Sequence, residues 1–156
     1  MPPRSRSGSN RGASQSLRAC AVSRLTIMQK YQGSFTKCIE AAQKSAAALV
    51  NMLAEDFPCF NDVAKYENRK SVRFLKRAQI CVADLWAAFD GESFGEFQDI
   101  DKITMFADYR VPQILNTLGC LWYSPALEST IRKKELIESG HQWEIQLRGL
   151  FKCMSV

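Results

Sequence analysis

The sequence predicts a mainly α-helical fold with at most one short β-hairpin. Apolar residues recur every three or four positions over residues 35–53 and again over 74–89, which is the spacing of helix faces that pack on a core. Residues that commonly start or stop helices flank these segments. A hairpin is expected only in the polar connection between them, around residues 67–70.

A disordered basic tail is expected over residues 1–30. The 156 residues include 21 Lys or Arg and 16 Asp or Glu, which gives a net charge of +5. Residues 1–30 carry six basic residues and no acidic one, so residues 31–156 hold the other 15 basic residues and all 16 acidic ones. The tail is rich in Ser, Arg and Gly, a composition that buries too little apolar surface to fold. A mitochondrial transit peptide has the same composition, and is the alternative to a cytoplasmic protein.

Two amphipathic helices are expected after the tail. The first has Ser34 as its N-cap and runs for about five turns, as far as the dipeptide Phe57-Pro58, because proline disfavours helix in the residue before it. The second covers residues 74–89 and stops at Asp90-Gly91. Its predicted buried face consists of Leu75, Ala78, Val82, Leu85, Trp86 and Phe89.

Shorter helices are expected in the second half of the chain. Asp99 or Asp101 can cap a short helix over the apolar residues near 103–106. After a break near 108–110, a helix is expected over 111–118, with Gly119 just past its end. Another starts at Ser124-Pro125 and ends near Gly140, and the alternation over 142–148 predicts either a strand or the start of a further helix.

Several function classes are excluded by what the sequence lacks. No apolar run approaches the ~20 residues that a membrane-spanning helix needs. There is no phosphate-binding loop and no G-x-G-x-x-G, H-E-x-x-H or G-x-S-x-G motif. The six cysteines are irregularly spaced and there is one histidine, so no metal site and no cofactor are expected. Because most of the cysteines fall on apolar faces, we expect reduced, buried thiols.

The segment FADYRVPQ, at residues 106–113, is the first candidate site. Asp108 lies between Phe106 and Tyr109, directly before a helix start that Pro112 sets. Backbone N–H groups and a low dielectric at such a place can hold an ionised carboxylate, and aromatic rings can stack on a flat base. The structural alternative, which spacing alone favours, is that Asp108 caps the helix and that the aromatic rings belong to the core.

The second candidate lies on the helix over residues 74–89. Lys76 and Asp84 are eight positions apart, or about 80° around the helix axis, so both side chains can reach one cleft. A solvated charged face is the commoner outcome for neighbours such as Lys76 and Arg77. Both interpretations stay open at the level of spacing.

Longer stretches of the sequence resemble the queuosine salvage protein family. They are residues 34–62, 72–89 and 99–127, together with EIQLRG at 144–149. The block ITMFADYRVPQ is long and unusual, which makes the resemblance specific, and it extends over about residues 32–149. It implies a helical domain similar to that of helix–hairpin–helix DNA glycosylases, of which residues 31–156 form the C-terminal part.

This resemblance also implies a reaction and the residues that perform it. The reaction is hydrolysis of the N-glycosidic bond of queuosine 5′-phosphate, a small-molecule nucleotide, which releases queuine for tRNA modification. Asp108 is then the essential carboxylate, and Lys76 makes a polar or phosphate contact in the same cleft. No cofactor, no metal, no membrane contact and no direct tRNA contact are expected. The implied substrate-binding residues are Phe106, Tyr109, Arg110, Gln113 and Asp84, the last of which is either in the site or structural.

Family members are longer than this chain, and the tail before Tyr31 does not resemble their N-terminal part. We therefore expect a truncated or alternative form that lacks one wall of the site. The alternative function is a non-catalytic helical fragment or binding module. Nucleic-acid binding is disfavoured, because phosphate contacts need clustered basic residues and residues 31–156 are nearly neutral.

Overall fold

The computed structural model describes residues 9–67, 70–108 and 110–154 and is mainly α-helical, as expected. One antiparallel hairpin, β1 (Val63–Tyr66) and β2 (Lys70–Arg73), occupies the predicted connection. The likeness to helix–hairpin–helix glycosylases stays a prediction. In the described part of the chain, no helix is long and apolar enough to cross a membrane. The helices are α1 (Ser9–Lys30), α2 (Phe35–Ala41), α3 (Ala46–Asp56), α4 (Lys76–Ala88), α5 (Arg110–Thr117), α6 (Pro125–Arg132) and α7 (Gln142–Met154).

Helix α1 occupies most of the segment for which disorder was expected. That expectation is wrong over residues 9–30, whereas residues 1–8 lie outside the described part of the chain. The segment contains one glycine and no proline, so its backbone can continue as a helix. Its C-terminal end is anchored by tertiary contacts, because Ile27 packs on the main core and both Lys30 and Tyr31 hydrogen-bond to Asp56 at the end of α3.

The first amphipathic helix is interrupted, which the periodicity did not predict. Residues 42–45 separate α2 from α3, and Gln43 and Lys44 both have positive φ angles. A distant carboxylate holds the break, since Asp99 accepts hydrogen bonds from the Ala46 N–H at 2.6 Å and from the Ser45 hydroxyl at 2.9 Å. Ser45 in turn caps α3 by accepting from the Ala48 N–H at 3.1 Å. Asp99 is more than fifty positions away from Ser45 and Ala46, so the local spacing of apolar residues could not predict this contact.

Helix α4 is shorter at both ends than predicted, and its exposed face is larger. Ala78, Gln79 and Val82 are buried against α3 and its surroundings, but Trp86 and Phe89 are 45% and 41% exposed. The predicted burial of these two aromatic residues is therefore wrong. The short 3₁₀ turn at Ser93–Gly95 packs against this end of α4 but leaves both aromatic side chains partly exposed.

The second half of the chain is less helical than the sequence predicts. Residues 100–102 form a single 3₁₀ turn, and residues 103–108 are a connecting segment without regular secondary structure, because the Asp99 carboxylate caps α3 instead of this turn. Helices α5 and α6 start where expected, and Ser124 caps α6. Helix α6 ends at Arg132 and not near Gly140. The alternating residues 142–148 belong to α7, which is the helical one of the two predicted outcomes.

Two apolar clusters support these elements. The larger one joins α2, α3 and α4 around the fully buried Cys38, Leu49, Leu53 and Val82. The smaller one consists of Phe74, Ala107 and Ile145, with residues of the hairpin packed against it. The smaller cluster brings the residues before α4, the end of the connecting segment 103–108 and α7 together.

The cysteines are less buried than expected. Among the five whose surroundings are described, all are free thiols and only Cys38 is buried, whereas Cys20, Cys59 and Cys120 are exposed. Cys59 and Cys120 follow Pro58 and Gly119 in connections outside the core, where the helix periodicity used for the expectation no longer applies. Burial raises the pKa of the Cys38 thiol.

We predict that replacing Asp99 by Asn destabilises the fold by about 1–2 kcal/mol, because a charge-assisted cap of α3 is lost. Urea denaturation at pH 7 measures the change, and Asp101→Asn is the matched control. Asp101 is exposed in the same 3₁₀ turn, so its replacement should alter the free energy of unfolding by less than about 0.5 kcal/mol. Equal effects of the two replacements would contradict the role of Asp99.

The effect of Asp99 should also depend on pH. Burial acts to raise the pKa of Asp99, but hydrogen bonds from Ser45 and from the backbone of Ala46 and Ala47 outweigh it and hold the pKa below the ordinary value. The unfolded chain therefore binds the proton more readily, and the ionised carboxylate stabilises the fold above the ordinary pKa of about 4. The stability difference between the native chain and Asp99→Asn should shrink as the pH falls below about 4. A difference that grows on acidification would be inconsistent with this sign.

Candidate active site

Lys76 and Asp108 form a direct ion pair at the centre of the candidate site. The Lys76 Nζ lies 2.6 Å from the Asp108 Oδ2, although the residues are 32 positions apart in the sequence. Their side chains are 26% and 28% exposed, so the pair is shielded on several sides and still open to solvent. An ammonium and a carboxylate are thus available together at one point of the surface.

Asp62 fixes the position of Lys76. Its backbone carbonyl accepts hydrogen bonds from the Phe74 and Leu75 N–H groups at 2.9 and 3.2 Å, and its carboxylate accepts from the Lys76 N–H at 3.3 Å. Leu75 is buried in a left-handed conformation with a φ of 51°, so the chain turns sharply from β2 into α4. Lys76 is therefore held as the first residue of α4.

Asp108 is held by the connecting segment before it and by the helix after it. The Gln79 side chain, one turn beyond Lys76 on α4, accepts from the Thr104 N–H at 3.0 Å and from its hydroxyl at 2.9 Å. These bonds tie the segment to α4, and a tight turn from Phe106 then presents Asp108. The Asp108 Oδ1 accepts from the Arg110 N–H at 3.3 Å while Oδ2 binds Lys76. One oxygen of Asp108 thus accepts from the start of α5, as the helix-cap alternative predicts, while the other binds Lys76 in the shared cleft that the family resemblance implies.

Arg148 on α7 links the surroundings of both residues. Its Nε donates to the Ala107 carbonyl at 3.2 Å, its Nη1 to the Glu144 carboxylate at 3.0 Å, and its Nη2 to the Asp62 carboxylate. The guanidinium carbon lies 4.0 Å from the centre of the Phe74 ring, which is the geometry of a cation–π contact. The Arg148 side chain is only 16% exposed.

These residues border a cavity of about 680 Å³. Lys76 and Asp108 contribute to its polar side, as do Glu144 and Arg148 of α7, and Ile131, Leu136, Ile137 and Leu147 contribute apolar surface. A cavity with one apolar wall and a few convergent polar groups is the usual form of a small-molecule site. The lining residues include Gln113, Asn116, Tyr123, Ile131, Leu136, Ile137, Glu144, Leu147 and Arg148.

The chemical capacity of this site follows from its charges. Asp108 can stabilise positive charge on a substrate or accept a proton from water, and Lys76 can donate a hydrogen bond to an anionic group. The low exposure of both strengthens these interactions relative to water. The hydroxyl of Tyr123 donates to the Pro112 carbonyl at 3.0 Å, and burial raises the pKa of this phenol, so Tyr123 stays neutral as part of the wall.

The structure brings some of the sequence-predicted site residues together and separates others. Lys76, Asp108 and Gln113 share the cavity. Phe106 is half-buried and Arg110 is exposed, and among the described residues neither is part of the lining. Asp84 is exposed farther along α4 and is also outside that lining. Tyr109 lies outside the described residues.

The chain matches a known protein family over most of its length. The family described as queuosine salvage protein matches residues 14–154, which is most of the sequence. The chain belongs to the queuosine salvage protein family. The match begins within α1 and reaches residue 154, so it is longer at both ends than the expected span of about residues 32–149.

This queuosine salvage chain is similar to proteins named queuosine 5′-phosphate N-glycosylase/hydrolase. It is 45% identical to the Schizosaccharomyces pombe protein over 133 residues, 46% to that of Sphaerobacter thermophilus over 123 residues, and 49% to that of Nematostella vectensis over 123 residues. These alignments cover 85%, 79% and 79% of this chain but 38%, 38% and 35% of the relatives. The chain thus spans little more than a third of the length of the relatives it matches.

Four residues that position Lys76 and Asp108 were not predicted from the sequence. Glu144 and Arg148 stand four positions apart in the family motif EIQLRG, and recognising a helix there would have placed them on one face. The alternation over residues 142–148 is compatible with a strand as well as with a helix, so it did not indicate that Glu144 and Arg148 lie on one face. Asp62 and Gln79 carried no signal in the sequence, because their function depends on contacts with distant segments.

We predict that Lys76 and Asp108 are coupled energetically by about 1 kcal/mol, since the pair is partly shielded from water. Urea denaturation of the native chain, Lys76→Met, Asp108→Asn and the double variant measures this coupling. The same cycle on the exposed pair Lys37–Glu40, where the side chains are 51% and 49% exposed, should give about 0.3 kcal/mol. A coupling at Lys76 and Asp108 no larger than in the control would mean that the pair does not persist in solution.

Proposed function

We propose that this chain hydrolyses the N-glycosidic bond of queuosine 5′-phosphate and releases queuine and ribose 5-phosphate. The observation that carries the proposal is the ion pair of Lys76 and Asp108 at the polar side of the cavity. The names of the relatives supply the substrate. The substrate is a small-molecule nucleotide, and a cavity of about 680 Å³ is within the usual size range for such ligands.

Asp108 is the proposed catalytic carboxylate. Cleavage of an N-glycosidic bond develops positive charge on C1′ and the ring oxygen of the ribose, as in glycoside hydrolysis. A carboxylate beside C1′ stabilises that charge and takes the proton from the water that attacks C1′. The Arg110 N–H on Oδ1 and the Lys76 ammonium on Oδ2 favour the ionised form that both tasks need.

The leaving base has requirements of its own. Queuine is a 7-deazaguanine, with carbon in place of N7, so N7 cannot be protonated as it can in an ordinary purine. The electron pair of the broken bond must therefore be stabilised at the other polar atoms of the base. Lys76 and the Gln113 amide are the hydrogen-bond donors that we propose for this task, with the 5′-phosphate as an alternative partner of Lys76.

Direct binding to tRNA is not part of this proposal. The cavity accepts a nucleotide-sized ligand, and residues 31–156 carry 15 basic against 16 acidic residues. Affinity for a polynucleotide backbone depends on clustered positive charge. We therefore propose that the chain acts on the free nucleotide and that queuine reaches tRNA afterwards.

The test is to incubate the whole purified chain with queuosine 5′-phosphate and to quantify free queuine by mass spectrometry. We expect release, with kcat/KM reduced about a hundredfold or more in Asp108→Asn and about tenfold in Lys76→Met, because transition-state stabilisation is lost. Circular dichroism verifies that each variant is folded.

Matched controls use the same substitutions outside the site. Asp101→Asn and Lys37→Met replace exposed residues of other elements and should leave the rate of release unchanged. Absence of release by a folded native chain would exclude the hydrolase proposal for this polypeptide, and ligand binding without turnover would then favour the non-catalytic module. Undiminished release by Asp108→Asn would refute the assignment of the carboxylate.

A further inference from the structure

We propose that Arg148 is a positioning residue that keeps Lys76 and Asp108 in contact. Its role for the reaction rests on the proposed function, whereas its role for the ion pair can be measured without substrate. Arg148 lies on α7, while Lys76 begins α4 and Asp108 precedes α5. The guanidinium is the group that connects these three segments beside the cavity.

The first connection runs from Arg148 to Lys76 through Asp62. The Asp62 Oδ2 accepts both from the Arg148 Nη2 and from the backbone N–H of Lys76. The Asp62 carbonyl accepts from the N–H groups of Phe74 and Leu75, the two residues before Lys76. Asp62 therefore sets the direction in which α4 starts. A shift of the Asp62 carboxylate therefore moves the backbone from which the Lys76 side chain extends.

The second connection runs from Arg148 to Asp108 through the neighbouring peptide. The Arg148 Nε donates to the carbonyl of Ala107, which is bonded directly to the nitrogen of Asp108. Ala107 is buried in the small cluster with Phe74 and Ile145, so this peptide is fixed from both sides. The orientation of that peptide decides where the Asp108 side chain points.

The geometry requires an arginine rather than any positive charge. Three nitrogens of one planar group donate to Ala107, Glu144 and Asp62, and the flat face of the group lies on the Phe74 ring. Lysine has a single nitrogen on a flexible stem and cannot meet three acceptors in fixed directions. The replacement Arg148→Lys keeps the positive charge and removes the three directed hydrogen bonds of the guanidinium.

The decisive test measures the reactivity of the Lys76 amine in the whole chain without substrate. The chain is treated with trace acetic anhydride, and mass spectrometry gives the acetylation of Lys76 relative to Lys37 in the same molecule. An amine held against a carboxylate reacts slowly, so Arg148→Lys should raise this ratio about threefold or more. The matched control is Arg132→Lys, which alters an exposed arginine that also binds a glutamate four residues before it. An unchanged ratio in folded Arg148→Lys overturns the proposal.

Turnover of queuosine 5′-phosphate provides the second measurement. Displacement of the ion pair should lower kcat about tenfold or more in Arg148→Lys and leave KM nearly unchanged, since orientation and not binding is lost. A raised KM with unaltered kcat would make Arg148 a substrate contact and would overturn the positioning role. If the native chain releases no queuine while the acetylation ratio still rises, the proposed function fails and the positioning of the pair is supported.

Glu144→Gln keeps the test decisive if Arg148→Lys does not fold. This change leaves Arg148 in place and weakens the bond that orients its Nη1, and it also alters the carboxylate that accepts from the Gly140 N–H at 3.1 Å. The acetylation ratio of Lys76 should rise in the same direction by a smaller factor. A folded Glu144→Gln chain with the ratio of the native chain would overturn the proposal.

Discussion

The ion pair between Asp62 and Arg148 is the contact on which the geometry of the site depends. It joins two residues that are 86 positions apart, and it brings α7 against the start of α4. Burying such a pair has a desolvation cost, and removing one partner leaves the other charge in a partly apolar place. Here further hydrogen bonds at Lys76, Ala107 and Glu144 satisfy both groups. The pair therefore contributes to a defined arrangement of the site more than to overall stability.

Carboxylates that are distant in the sequence also fix helix ends elsewhere in the fold. Asp99 separates α2 from α3 by binding Ser45 and the Ala46 N–H, and Asp56 holds the end of α1 through Lys30 and Tyr31. Although burial acts to raise the pKa of Asp56, its hydrogen bonds from these two residues lower it. Three acidic residues thus fix the ends of helices whose interiors are stabilised by apolar packing.

The local sequence pattern was sufficient to predict some elements of the fold and insufficient to predict others. The hairpin, the start of α6 at Ser124-Pro125 and the end of α5 before Gly119 were predicted, because turn and cap residues act through their immediate neighbours. The break in the first helix and the non-helical segment before Asp108 were not, because Asp99 and Gln79 impose them from other elements. The meeting of Lys76 with Asp108 followed from family resemblance and not from spacing.

The cavity beside Lys76 and Asp108 is the proposed binding site of queuosine 5′-phosphate. A titration of the ¹⁵N-labelled chain with this nucleotide, followed by NMR, tests it most directly. We expect the largest shifts of backbone signals at Lys76, Ala107, Asp108 and Gln113, and we expect these shifts to saturate together. Shifts confined to the separate cavity lined by Cys20 and Cys59, or no shifts at millimolar nucleotide, would contradict it.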